Sequence, residues 1–175
     1  MNDAASGAFY PNRQEGEIKM NSENPLMVDL CCGLQKPDGY IGVDIFPGDT
    51  VDIVSDLTER FPFKDNSVDL VRAHDAIEHL PDKIHTMNEI WRISKPEGAV
   101  DIFVPSTDGR GAFQDPTHVS YWNINSFLYY SVDHKDYYEL CYRYGFRGGF
   151  KIENIYNVSG FDNIVHVRAL LRTIK

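Results

Sequence analysis

Cysteine is scarce in this sequence of 175 residues, and two of its three cysteines, Cys31 and Cys32, are adjacent. That arrangement fits neither a disulfide framework nor a zinc site built from C-x-x-C pairs. Long apolar runs are also missing, because charged residues interrupt each hydrophobic stretch well before it reaches the length of a membrane span. The N-terminus has no basic cluster followed by an apolar segment, so no secretory signal is predicted and the cytoplasm is the expected location.

Basic residues are in the minority, with 17 Lys and Arg against 26 Asp and Glu and a net charge of −9 at pH 7. Proteins that bind a phosphate backbone usually hold it through several Lys or Arg contacts. We therefore expect no nucleic-acid partner and no membrane partner.

A polar segment precedes the apolar part of the chain. Residues 1–24 show no hydrophobic period and are predicted to form a flexible N-terminal arm, whereas residues 25–175 have the size and composition of one domain. Within this domain, short runs rich in Val, Ile and aromatic residues predict strands over residues 26–31, 40–46, 51–54, 68–73 and 99–105. Two longer β-type runs, 150–158 and 164–174, predict a closing antiparallel hairpin.

Helical spacing of apolar residues predicts an amphipathic helix over residues 81–94. A second helical stretch is predicted over 125–144, with a break near Asp133 and a stop at Gly145. Its predicted apolar stripe consists of Phe127, Leu128, Tyr137, Leu140 and Cys141.

This order of elements predicts an α/β fold with an open, mostly parallel sheet and an antiparallel C-terminal hairpin. Residues 33–39 and 46–50 are too short for ordinary parallel crossovers, so either the first two crossovers are shortened or one strand pair is antiparallel. A sheet without two of its covering helices would expose an apolar face. We expect the N-terminal arm or a second subunit in a homodimer to cover that face.

Acidic residues stand at the predicted ends of successive strands. Ligands of open α/β sheets bind at the carboxyl ends of the strands, and a carboxylate after the second strand can accept hydrogen bonds from a ribose diol. A single Asp at such a position is weak evidence, because Asp also begins turns and caps helices. Here the pattern recurs at Asp29, Asp44, Asp56 and Asp75.

The segments DLCCG, YIGVDI, VSDLTERFPFKDNSVDLV, AIEHL and MNEIWRISKPEGAVDIFVPS resemble, in this order, the motifs of class I S-adenosylmethionine-dependent methyltransferases. The resemblance covers residues 28–105 and implies a Rossmann-like fold with S-adenosyl-L-methionine as cofactor. It departs from the family at Cys31, where the first motif usually has glycine, and at residues 36–38, which replace a later glycine and the helix behind it.

The resemblance also implies a role for each matching position. Asp29, Cys31 and Gly33 would lie at the amino-acid end of the cofactor, and Asp44 with Ile45 at its ribose. Asp56 and Leu57 would contact the adenine, and His74 and Asp75 would lie beside the sulfonium.

The loop over residues 106–123 contains a DPTH run similar to the acceptor-side loop of a methyltransferase subgroup. His118 could take a proton from the acceptor, with Asp115, Asp75 and Tyr121 as further catalytic candidates. Alternatively, Asp115 and His118 merely pin the loop. Glu78 and His79 are interpreted as polar contacts at a helix start. No metal is expected, because Asp115, His118, Asp133, His134 and Asp136 match no standard ligand spacing.

These residues predict methyl transfer by direct in-line displacement to a small-molecule or glycan acceptor. A non-catalytic binding or regulatory protein of the same fold, which holds S-adenosylmethionine or S-adenosylhomocysteine without turnover, is the first alternative. A nicotinamide-dependent dehydrogenase is the second, although the chain has no G-x-G-x-x-G run.

Overall fold

The computed structural model describes residues 23–175, in which one seven-stranded sheet carries helices on one of its faces. Its strands are β1 (Met27–Leu30), β2 (Tyr40–Asp44), β3 (Ile53–Val54), β4 (Val68–His74), β5 (Ser94–Pro105), β6 (Phe150–Ser159) and β7 (Val165–Thr173). The helices are α1 (Lys83–Ile93), α2 (Gly111–Gln114), α3 (Ile124–Leu128) and α4 (Lys135–Arg143). Single turns of 3-10 helix lie at Ile77–His79 and Phe161–Asn163. No helix among the described residues is long and apolar enough to span a bilayer.

The strand order is β3-β2-β1-β4-β5-β7-β6, with β1 to β5 parallel and β7 antiparallel to both β5 and β6. The predicted α/β fold with an antiparallel C-terminal hairpin is therefore confirmed. The predicted arm over residues 1–24 lies almost wholly outside the described residues and stays a prediction.

The first two crossovers are shortened, and all three strands that they connect are parallel. Residues 31–39 between β1 and β2, and 45–52 between β2 and β3, contain no helix. Gly42 shows how these loops replace helices, because a Cβ on it would lie 2.5 Å from the Thr50 carbonyl oxygen and 2.7 Å from Cys32 Sγ. The loops thus pack directly onto β2, and only glycine leaves them enough room.

Helix α1 covers the opposite face of the sheet. Asp82 caps its N-terminus, accepting hydrogen bonds from the backbone N–H groups of Ile84 and His85 at 2.9 Å each. Its apolar stripe then buries Met87, Ile90 and Ile93 in the core, together with the strand residues Val71, Ala73, Val100 and Ile102.

The second helical stretch is two helices, and it breaks where predicted. Helix α3 ends at Leu128, α4 begins at Lys135, and Gly145 follows α4 with a φ of +108°. Phe127 and Cys141 are buried in the core. The predicted stripe is wrong at Tyr137 and Leu140, which are exposed, because α4 touches the core only along a narrow edge.

Among the described residues, the sheet face without helices carries ion pairs and also the buried apolar side chains of Leu70, Ala99 and Leu170, so charge interrupts the expected apolar face. Strand register places Asp29, Arg72 and Asp101 side by side on β1, β4 and β5. Asp29 pairs with Arg72 at 2.6 Å, and Asp101 pairs with Arg168 of β7 at 3.0 Å. The expected cover of this face, by the N-terminal arm or by a second subunit in a homodimer, stays a prediction.

Candidate functional site

The end of β1 is held in a conformation that side chains rarely adopt. Cys31 has a φ of +52° and Gly33 the same value, so the chain turns sharply twice just after the strand. Burial raises the pKa of the Cys31 thiol to about 12, which makes it an inert thiol rather than a nucleophile. The turn leaves Gly33 exposed, with no atom within 4 Å of the place where a Cβ would be.

Asp44 connects the ends of β1 and β2. Its Oδ2 accepts a hydrogen bond from the Gly33 N–H at 3.0 Å, and its Oδ1 accepts one from the Phe46 N–H at 3.0 Å. Each carboxylate oxygen can accept a further hydrogen bond. Asp44 is half-buried and Ile45 beside it is exposed, so both remain accessible at the edge of the open space over Gly33.

Asp56 lies just beyond the end of β3 and is exposed. Its Oδ1 accepts hydrogen bonds from the Thr58 N–H at 2.8 Å and the Thr58 hydroxyl at 2.7 Å, and these bonds hold the pKa of the carboxyl below its usual value. Leu57 is buried, so its side chain anchors the turn in the core. Only backbone groups of Leu57 are thus suited to contact a ligand.

The end of β4 carries two polar side chains that face partners on β5 and β7. His74 Nε2 lies 3.2 Å from Asp101 Oδ2, and Asp75 Oδ1 lies 3.0 Å from His166 Nε2. Burial raises the pKa of Asp101, but the neighbouring His74 ring and the hydrogen bonds from Arg168 outweigh it and hold the pKa below its usual value. Asp75 has a φ of +48° and is exposed, and this strained backbone turns its side chain away from the strand.

These strand ends fit the cofactor that the sequence predicts. The space over Gly33 is open, and Asp44 and Asp56 present carboxylate oxygens at neighbouring strand ends. Asp29 is fully buried, and while its Oδ1 binds Arg72, its Oδ2 has no hydrogen-bond partner. Burial raises the pKa of Asp29 despite Arg72, which is the signature of a carboxyl group that lacks a second partner.

The loop after β5 contains the other predicted site residues. Asp115 is exposed, and its Oδ1 accepts hydrogen bonds from the Thr117 N–H and hydroxyl, so it shapes the loop. Tyr121 is exposed and lies against Phe113, with ring centroids 5.2 Å apart. His118 is largely buried, and its Nδ1 lies 3.1 Å from the Ala112 carbonyl oxygen. The loop backbone therefore holds the His118 ring. The Tyr121 ring contacts Phe113 instead.

Glu78 and His79 lie beside His118. The sequence analysis interpreted these two residues as polar contacts at a helix start and did not predict that they group with His118. Glu78 Oε1 is 3.9 Å from His118 Nε2, and the ring centroids of His79 and His118 are 5.0 Å apart. The sequence contained a usable signal, since the EH pair of AIEHL and the DPTH run both follow strands that are neighbours in a parallel sheet. Arg72, Asp101 and Arg168 were also missed, because their pairing depends on strand register and not on a local sequence pattern.

Comparisons with known proteins agree with this geometry. Residues 25–102 match the family model described as a methyltransferase domain. The demethylmenaquinone methyltransferase of Lactiplantibacillus plantarum is 31% identical over 101 residues, a match that covers 43% of this chain and 43% of that protein. The matched part thus spans less than half the length of this curated relative.

Solved structures share the fold at low sequence identity. The 1,6-didemethyltoxoflavin-N1-methyltransferase of Burkholderia thailandensis, solved with S-adenosylhomocysteine and 1,6-didemethyltoxoflavin, superposes with a TM-score of 0.62 at 10% identity, covering 87% of this chain and 72% of that one. The [4+2]-cyclase SpnF superposes with a TM-score of 0.63 at 14% identity, covering 86% of this chain and 75% of that one. Since one of the two is a cyclase, the fold by itself does not define the reaction.

Proposed function

We propose that this chain, whose residues 25–102 match a methyltransferase domain, is a class I S-adenosylmethionine-dependent methyltransferase that binds S-adenosyl-L-methionine and transfers its methyl group to a small-molecule acceptor. The observation that carries the proposal is the junction of Gly33 and Asp44. There, a half-buried carboxylate is fixed by two backbone hydrogen bonds beside a space that no side chain fills.

Each described strand end has a distinct part in holding the cofactor. Asp44 would accept hydrogen bonds from the ribose hydroxyls, because its oxygens are preorganised by the Gly33 and Phe46 amides. Asp56 would accept a hydrogen bond from the adenine amino group, and Gly33 would admit the ligand close to the backbone. Asp29 would serve the amino-acid end, where its unpartnered oxygen matches a cationic amino group.

Direct methyl transfer needs no covalent bond between the protein and either substrate. When bound, S-adenosylmethionine supplies an already activated methyl group on a sulfonium, so the protein must align the acceptor and exclude water. Asp75, at the end of β4, and the aromatic loop residues Phe113 and Tyr121 are exposed and available to an acceptor. The curated relative is a demethylmenaquinone methyltransferase, whose name describes methylation of a small molecule, and this supports an acceptor of that class.

Calorimetric titration with S-adenosylhomocysteine tests the binding part of the proposal. Asp44→Asn removes the charge of a carboxylate that would accept hydrogen bonds, and a charged hydrogen bond is worth about 1.5–3 kcal/mol, so Kd should rise about 10- to 100-fold. Asp136→Asn is the matched control, because it removes the same charge from an exposed position on α4. If both variants are folded and bind S-adenosylhomocysteine as tightly as the parent, the proposed contact of Asp44 with the cofactor is refuted.

A transfer assay then separates catalysis from binding alone. The parent protein is incubated with S-adenosylmethionine carrying a labelled methyl group and a panel of phenols, quinols and heteroaromatic amines. Labelled product supports the proposal. Tight cofactor binding without transfer to any panel member would favour the non-catalytic alternative, and binding of NAD in place of S-adenosylhomocysteine would favour the dehydrogenase.

A further inference from the structure

A second cluster of polar side chains lies between the 3-10 turn Ile77–His79 and the loop after β5. One ligand-type atom from each of Glu78, His79 and His118 lies within 4.8 Å of the other two. These atoms are carboxylate oxygen and imidazole nitrogen. The methyl-transfer proposal gives no role to Glu78 or His79.

Glu78 is the most unusual member of the cluster. It is 2% exposed, and neither of its carboxylate oxygens has a hydrogen-bond partner of normal geometry. A buried carboxyl group with two open oxygens is costly unless a partner of opposite charge is present.

The two histidines are held in place by the surrounding backbone. Thr117 contacts Nδ1 of His79 through both its carbonyl oxygen, at 3.2 Å, and its hydroxyl, at 3.1 Å, and the Ala112 carbonyl oxygen lies 3.1 Å from Nδ1 of His118. Such contacts to one ring nitrogen orient a metal-binding imidazole and fix its tautomer. Each ring retains a second nitrogen.

The loop and the 3-10 turn are also fastened to each other. The N–H groups of Val119 and Ser120 both donate to the Glu78 carbonyl oxygen at 2.9 Å, and the Ser120 hydroxyl donates to the Ile77 carbonyl oxygen at 2.8 Å. These bonds keep His118 opposite Glu78 without using either side chain. The cluster is therefore preorganised by groups that a bound ion would leave undisturbed.

We infer that Glu78, His79 and His118 bind a divalent transition-metal ion of the zinc or ferrous type. Two imidazoles and one carboxylate are the ligand set of open zinc sites and of the iron facial triad, in which water or a substrate takes the remaining positions. Ligand atoms about 2.1 Å from a tetrahedral ion are about 3.4 Å apart. The 3.9 Å between Glu78 Oε1 and His118 Nε2 thus needs only a small side-chain rotation. The site does not depend on methyl transfer, and either proposal can fail alone.

Cobalt titration of chelator-treated protein tests the site. We expect one Co²⁺ per chain, with visible absorption bands of a low-coordinate ion that vanish when Zn²⁺ displaces it. Glu78→Gln and His118→Asn should each weaken Co²⁺ binding at least about 100-fold, more than the loss of an outer contact costs. His134→Asn, an exposed histidine outside the cluster, is the control and should bind like the parent.

Two further measurements keep the result decisive. Titration of each variant with S-adenosylhomocysteine shows that it is folded, and Glu78→Gln should leave that affinity unchanged. If His118→Asn does not fold, His79→Asn replaces it, because His79 is only half-buried. Absence of a Co²⁺ complex in the parent, or parental Co²⁺ affinity in Glu78→Gln, would overturn the inference.

Discussion

Replacing Glu78 by glutamine should change how the stability of the protein depends on pH. In the folded chain burial raises the pKa of Glu78 from its ordinary 4.5 to about 8. Between these two pH values the unfolded chain ionises the group and the folded chain keeps it protonated, so the free energy of unfolding falls as pH rises. One pKa unit corresponds to about 1.4 kcal/mol, which gives a loss on the order of 4–5 kcal/mol across the interval.

The measurement is urea unfolding of parent and Glu78→Gln in the presence of a chelator, at several pH values from 4.5 to 8. Glutamine cannot ionise, so any constant effect of its amide shifts the difference by the same amount at every pH. The parent should therefore lose stability relative to the variant at about 1.4 kcal/mol per pH unit. A difference that stays flat across this interval would show that Glu78 ionises normally in the folded protein.

Glu89→Gln supplies a control of opposite sign. Burial raises the pKa of Glu89, but hydrogen bonds from Arg92 and from the Phe61 N–H outweigh it, so the pKa is lowered. A carboxylate of this kind stabilises the fold above its unfolded pKa and loses that contribution only in acid. The difference between parent and Glu89→Gln should be constant from pH 5 to 8 and should shrink below the ordinary pKa of 4.5.

Three further changes test packing, backbone and charge. Gly42→Ala should destabilise the fold by about 1–3 kcal/mol in thermal or urea unfolding, because its Cβ would overlap the Thr50 carbonyl at 2.5 Å, and an unchanged midpoint would contradict that close contact. Gly33→Ala should lower the free energy of unfolding by about 1–2 kcal/mol, because the φ of Gly33 is +52°. It should also weaken S-adenosylhomocysteine binding in calorimetry. If Gly42→Ala, with a similar loss of stability, weakens binding equally, a contact of the ligand at Gly33 is contradicted. Arg72→Met should cost about 3–5 kcal/mol of unfolding free energy by leaving Asp29 buried without its partner, and the double variant with Asp29→Asn should recover part of it.

The sheet could be predicted because its signal is local. The segments that form the parallel strands are apolar and bounded by turn residues. The turn at Gly160 separates the two strands of the antiparallel hairpin, β6 and β7. The parallel pairing of β1, β2 and β3 could not be decided in this way. It depends on loops that pack onto Gly42, and a contact between a loop and a strand leaves no periodic trace in the sequence.

The candidate cofactor site was predictable at the level of strand ends, but its contacts were not. The positions of Asp44 and Asp56 follow from where β2 and β3 stop. The hydrogen bond from Gly33 to Asp44 depends on two positive-φ residues after β1, one of them Cys31, which sequence rules do not assign to that conformation. The cluster of Glu78 with His118 joins residues 40 positions apart, so neither segment alone predicts it, and only the pairing of the two preceding strands brings the segments together.

Ion pairs balance the charges that the helix-free face of the sheet carries among its buried apolar side chains. Asp29 is fully buried and Asp101 nearly so, and a buried carboxylate is tolerated when a guanidinium group pairs with it. The Asp29–Arg72 pair joins β1 to β4, and the Asp101–Arg168 pair joins β5 to the hairpin strand β7. Asp29 keeps one oxygen without a partner at the start of this row. A cation that bound that oxygen would lower the cost of burying Asp29, so ligand binding and sheet stability should rise together.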